Sequence, residues 1–250
     1  MSRNRFAAAV LLAGWIIMPG PVAAAGSSGP AGQALTAPAA QRLDDLPLVE
    51  VPAQGGGRGL LAVMLTGDGG WAVADKGLAK DLAAAGIPVV GFNSLKYFWK
   101  QRTPEEAAAD LQRVLERYLP AWGKKQAILI GYSLGADVLP FMMNRMSEDV
   151  QAEVRMVVLM SASRSAEFEF HVLDWLGRSG GKRSLPTIPE IGRIRPGVAV
   201  LCVHGEKDSG AICGELDPGR VRSAAIPGGH RVGGGYGPVA AAILAALDER

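Results

Sequence analysis

Ser133 lies between two glycines in Gly131-Tyr132-Ser133-Leu134-Gly135, directly after the apolar run Gln126-Ala127-Ile128-Leu129-Ile130 and ahead of a helical stretch, Ala136 to Met146. A serine on a sharp strand-to-helix turn presents its hydroxyl as a nucleophile, and the flanking glycines avoid collisions with the adjoining strand and helix. Two further groups complete the chemistry. Val198 to Val203 leads into His204-Gly205-Glu206-Lys207-Asp208, which places Asp208 in a loop at a strand's carboxyl end. After Ala224 to Pro227 comes Gly228-Gly229-His230, a glycine-flanked histidine ahead of the last helical run. In chain order these read serine, acid, histidine. Ser133 would attack a carbonyl carbon, His230 would take its proton and return it to the leaving group, and Asp208 would hold the imidazole tautomer and stabilise the imidazolium. Glu206 rivals Asp208 because both sit in one turn. His204 adjoins the acid loop, and His171 lies in a separate excursion.

Acyl transfer also requires backbone N–H groups aimed at the developing oxyanion, one from the residue after the nucleophile and one from the loop after an early strand. Leu134 supplies the first. The second falls in Thr66-Gly67-Asp68-Gly69-Gly70-Trp71, with Asp68 the choice and Gly67 and Gly69 its rivals. Gly67, Gly69, Trp71 and Asp137 are candidates for substrate contact. This chemistry asks for no metal and no organic cofactor, and two cysteines with three histidines make a poor ligand set.

The elements that must position these groups alternate along the chain. Strand-like runs are Leu60–Leu65, Ile87–Phe92, Gln126–Ile130, Arg155–Met160, Val198–Val203 and Ala224–Pro227; helical runs are Lys76–Ala85, Pro104–Tyr118, Ala136–Met146 and Pro238–Leu247. Such alternation predicts a mostly parallel central sheet flanked by helices on both faces. Pro104 suits a first helical turn, and Thr103 with Glu106 three residues on forms a capping-box pattern. Residues 161–196 break the alternation with an aromatic and then Gly- and Pro-rich stretch, read as a helical or irregular excursion above the sheet.

One domain is expected from 250 residues. Residues 1–25 read as a secretory signal, with Arg3 and Arg5 ahead of an apolar stretch and Ala23-Ala24-Ala25 as the cleavage site; residues 26–45 read as a flexible leader and 46–250 as the folded domain. The formal charge is +2. Arg3 and Arg5 account for it, so the mature chain is near neutral and offers no basic surplus to nucleic acid. Export to an oxidising compartment also lets Cys202 and Cys213 pair as a disulfide.

The segments Leu65-Thr66-Gly67-Asp68-Gly69-Gly70-Trp71, Asn93-Ser94-Leu95-Lys96-Tyr97-Phe98-Trp99, Arg102-Thr103-Pro104-Glu105 and Gly131 to Phe141, together with Phe168-Glu169-Phe170-His171, resemble the VirJ/AcvB family from about Leu60 onward. The length is similar to the single-domain VirJ form. The resemblance implies an α/β-hydrolase fold, a periplasmic location and a serine hydrolase whose nucleophile falls on Ser133, with acid and base on Asp208 and His230. For AcvB-type members it implies hydrolysis of lysyl-phosphatidylglycerol, so the expected partner is an aminoacylated phospholipid at the membrane surface. For VirJ it implies virulence and type IV secretion, hence an alternative role as a binding platform for secretion-system components. A general small-ester carboxylesterase is a third reading of the same residues. Lysyl recognition would need a carboxylate near the mouth, for which Asp68, Asp137 and Glu215 are candidates, and Lys96-Tyr97-Phe98-Trp99 could touch lipid.

Overall fold

Leu60–Leu65 is apolar at all six positions and buried at all six, which only a strand covered on both faces can satisfy. The computed structural model describes residues 43–55, 57–169, 184–231 and 235–249. The expected signal peptide and all but the last three leader residues lie outside these, as do Phe170 and His171.

The strands are β1 (Leu48–Val51), β2 (Leu60–Leu65), β3 (Val89–Phe92), β4 (Gln126–Tyr132), β5 (Val154–Met160), β6 (Ser165–Ala166), β7 (Leu185–Pro186), β8 (Ala199–Gly205) and β9 (Val221–Ile226). The helices are α1 (Val73–Ala84), α2 (Ser94–Tyr97), α3 (Pro104–Ala121), α4 (Leu134–Met143), α5 (Glu148–Glu153), α6 (Thr187–Ile191) and α7 (Gly237–Asp248). Seven strands form one sheet in the order β1-β3-β2-β4-β5-β8-β9. All neighbours run parallel except β1, which is antiparallel to β3. This is an α/β-hydrolase architecture, as the resemblance implies, with the mostly parallel sheet that the alternation predicts.

Side chains alternate across the sheet. Leu61, Val63, Leu65, Leu129, Val157 and Leu159 join one core, with the buried stripe of α3 and with α4. Leu60, Met64, Ile128, Ile130, Val158 and Leu201 join the other, with α1 and α7. The α3 stripe of Ala107, Ala108, Leu111, Val114, Leu115, Tyr118 and Leu119 recurs at helical spacing. Thr103 Oγ1 accepts from the Glu106 N–H at 3.1 Å while Glu106 Oε2 accepts from the Thr103 N–H at 2.8 Å, the reciprocal cap read from the sequence.

Several elements differ from expectation. The helix after Ser133 stops at Met143, and β9 begins three residues before the expected Ala224. β1, α2, α5 and α6 have no counterpart in the alternation. In the excursion, β6 and β7 pair antiparallel and α6 follows; its residues 170–183 lie outside the described residues.

The chain runs outward from β2 to β3 and then returns to β4 on the other side of β2. That reversal leaves a crevice at the carboxyl ends of β2 and β4, where ligands bind in open parallel sheets. Ser133 follows β4 at this point.

Candidate active site

Ser133 has φ 51° and ψ −116°, a backbone conformation that side-chain-bearing residues rarely hold. The neighbouring glycines make it possible. A Cβ on Gly135 would fall 2.4 Å from the Leu65 carbonyl oxygen, and one on Gly131 would fall 2.5 Å from that of Gly135. The turn is therefore packed against β2 through bare backbone. The Ser133 N–H donates to Met160 O at 2.9 Å, which ties the elbow to the end of β5.

Ser133 Oγ lies 2.9 Å from His230 Nε2, and His230 Nδ1 lies 3.2 Å from Asp208 Oδ2. The structure thus brings together a hydroxyl, an imidazole and a carboxylate from three loops at the same end of the sheet. Asp208 rather than Glu206 meets the imidazole; Glu206 is exposed, and its N–H donates to Ile226 O at 2.9 Å. His204 sits on β8 with its Nδ1 buried and unpartnered among the described residues, apart from the trio. The acid and histidine loops approach closely because Gly205 is bare, since a Cβ there would fall 2.2 Å from Gly229 O. Lys207 N–H closes the contact on Gly228 O at 2.8 Å.

Cys202 and Cys213 form a disulfide. It joins β8 to the 3-10 turn Cys213–Glu215 and encloses the loop that carries Asp208.

Near the nucleophile, the Leu134 and Asp68 amides donate to no acceptor among the described residues. Gly67 is buried beside them, and a Cβ on it would meet the Tyr132 ring at 3.3 Å and Ser133 Cβ at 3.4 Å. The loop is held by Gly70 N–H on Gly67 O at 3.1 Å, with Gly70 at φ 66°. Gly69 and Asp68 are exposed beside it.

Trp71 and Asp137 are both engaged by neighbouring elements. The Trp71 ring lies over Gly91, where an added Cβ would come within 2.3 Å of it, and packs with the α1-side core. A glycine in β3 leaves a slot that the indole fills, and the residue stays partly buried. Asp137 accepts from the Ser163 N–H at 2.6 Å and the Ser163 hydroxyl at 2.9 Å. Burial pushes its carboxyl up to about 7, outweighing those two bonds, which act in the opposite sense. It braces α4 against the turn after β5 instead of offering a free carboxylate. Glu215 is likewise engaged, by Arg164 at 2.6 Å. In Lys96-Tyr97-Phe98-Trp99, Tyr97 and Phe98 are buried, while Trp99 is 58% exposed.

Two contacts at the site left no pattern in the sequence. The Tyr132 and Ser161 hydroxyls both donate to the main-chain oxygen of His230, at 3.2 and 3.3 Å. Burial holds the Tyr132 phenol well above its ordinary pKa, so it remains a protonated donor.

The model of the bacterial virulence protein (VirJ) family matches residues 59–250. Among solved structures the chain is similar to Est1E from Butyrivibrio proteoclasticus, at 11% identity and TM-score 0.56, covering 83% of this chain and 96% of that one. It is also similar to naproxen esterase (carboxylesterase NP) from Bacillus subtilis, at 13% identity and TM-score 0.52, covering 81% and 87%. A third similar structure is TT1662 from Thermus thermophilus, at 18% identity and TM-score 0.51, covering 82% and 93%. At these identities the likenesses establish a shared fold. No curated protein matches the sequence.

Proposed function

The chain belongs to the VirJ family, and on that premise we propose that it is a periplasmic serine hydrolase cleaving a carboxylic ester through a Ser133 acyl-enzyme. The observation that carries the reading is the unbroken path from Ser133 Oγ through His230 to Asp208, 2.9 and 3.2 Å in its two steps. His230 Nε2 takes the Ser133 proton as Oγ attacks the ester carbonyl, and Asp208 accepts from Nδ1–H and stabilises the imidazolium. The Leu134 and Asp68 amides receive the oxyanion. His230 then protonates the departing alkoxide, and a water deprotonated by His230 releases the acid from Ser133.

The favoured substrate is an aminoacylated phospholipid of the lysyl-phosphatidylglycerol type. Of the three carboxylates considered for its ammonium groups, Asp137 is bonded to Ser163 and Glu215 to Arg164, which leaves Asp68. Asp68 adjoins Gly67, and Gly67 packs against Ser133. Export is supported by the disulfide, since such bonds persist in oxidising compartments.

The test is to incubate mature protein and its Ser133→Ala variant with membranes and extract the lipids. Loss of aminoacyl lipid with the wild type, and about 10⁴- to 10⁶-fold slower loss with the variant, is expected. Rapid turnover of short acyl esters with aminoacyl lipids untouched would favour a general esterase. Folded wild type that takes no fluorophosphonate label would favour a secretion-system platform.

A further inference from the structure

Residues 160–163, at the end of β5, touch every loop that carries a member of the trio. Met160 O accepts from the Ser133 N–H, Ser161 Oγ donates to His230 O, and Ala162 O accepts from the Ile212 N–H beside Cys213. Ser163 meets Asp137 on the helix that follows the nucleophile.

Within this segment Ser161 carries an unexplained cost. Its φ is 52°, and Ser133 is the one other non-glycine with positive φ among the described residues. Glycine would relax such a position, so a serine there points to a use for its side chain. The residue is 2% exposed. Its N–H extends the β5–β8 ladder onto Val203 O at 2.8 Å, and its hydroxyl has His230 O as acceptor. Tyr132, the residue before the nucleophile, donates to the same oxygen. Both bonds are long for hydroxyl donors, in keeping with two donors sharing one acceptor.

The His230 loop needs such a hold. It follows two glycines, and the imidazole is 51% exposed, so side-chain packing restrains it little. We propose that Ser161 is a positioning residue: paired with Tyr132, its hydroxyl fixes the main chain of His230 and thereby the reach of Nε2 to Ser133 Oγ. Because Met160 holds the Ser133 main chain, one step along β5 sets both ends of that distance. The role presupposes the hydrolase reading for its effect on rate, though not for the anchoring itself.

Ser161→Gly separates positioning from structural support, because glycine accepts the backbone conformation while removing the hydroxyl. The expected result is about tenfold slower fluorophosphonate labelling and kcat, with KM little changed and Tm equal to or above wild type. Ser161→Gly combined with Tyr132→Phe should slow labelling about a hundredfold, as both donors are gone. The His230 Hε1 resonance, assigned by its loss in His230→Gln, should shift and broaden in Ser161→Gly and more so in the double variant. A His230 resonance that superimposes on wild type in both variants overturns the proposal. So does a rate that falls only where Tm falls, as in Ser161→Ala losing both while Ser161→Gly loses neither. If wild type itself does not label while its His230 resonance responds as expected, the hydrolase reading fails and the anchoring stands.

Discussion

Asp208 lies beneath His230, with 4% of its side chain exposed against 51% for the imidazole and 3.2 Å between Oδ2 and Nδ1. The carboxylate meets the Nδ1 edge of the ring from the protein side. Asp208→Asn should therefore lower kcat by about 10³- to 10⁴-fold, because the amide no longer favours the tautomer with the proton on Nδ1. Glu206→Gln, on an exposed side chain of the same turn, should stay within about twofold of wild type. Steady-state turnover of the two variants decides between the carboxylates, and the reverse ranking would reject Asp208.

Gly135→Ala should destabilise the fold by about 3 kcal/mol, since two backbone oxygens of the β2 end, Leu65 O at 2.4 Å and Thr66 O at 2.7 Å, occupy the space of the new methyl. Gly69→Ala meets nothing within 4 Å and should cost less than about 0.5 kcal/mol. Urea midpoints compare the two directly. Equal midpoints would mean the elbow is looser than its geometry indicates.

Asp137 predicts a pH dependence of stability. Its folded carboxyl keeps a proton up to about 7, against 3.8 for the free side chain, because burial opposes the charge. Between those values the folded state binds more protons than the unfolded chain, so the contribution is full below pH 3.8 and is lost as pH rises through about 7. Asn cannot ionise. From pH 4 to pH 8 the wild type should lose about 2 kcal/mol relative to Asp137→Asn, a figure reduced for the part of the residue that reaches solvent. Denaturation curves of both proteins across that range provide the check, and a gap that does not change with pH would contradict it.

Replacing both Cys202 and Cys213 by Ala releases a closed loop with a sequence separation of 11. The chain-entropy relation puts the loss near 3 kcal/mol. Since Asp208 lies inside that loop, kcat should fall with KM little altered. Calorimetry and kinetics of the double variant measure both effects, and full activity at lowered Tm would confine the bridge to stability.

Much of this was legible in the sequence because the signals were local. Leu60–Leu65 is apolar without interruption and became β2 unchanged, and Thr103-Pro104 with Glu106 marked the start of α3 to the residue. Ser133, Asp208 and His230 were found by order along the chain, since each follows a strand and sits beside a glycine or within a turn. Other elements lack such patterning. Leu48–Val51 is four residues with an exposed Glu50 and reads as loop, and α6 contains a proline in five residues. The packing of the Trp71 ring over the bare Gly91 leaves no local signal either, because the two residues lie 20 positions apart on different elements. Ser161 acts on a carbonyl 69 residues away through a left-handed turn that its residue type disfavours, and neither property leaves a periodicity to read.

The antiparallel strand β1 extends the sheet upstream of the family-matched span. Family likeness starts at residue 59, yet Leu48 to Val51 pair with Phe92 to Val89, Leu46 is buried, the Asn93 N–H donates to Pro47 O, and Asp45 pairs with Arg113. A chain trimmed to the family-matched span would keep Ser133, Asp208 and His230 and lose the edge that covers β3, exposing its unpaired backbone to self-association. A shortened chain that keeps this edge must therefore begin upstream of Asp45. Any shortened form meant to report on this chemistry has to respect the same limit.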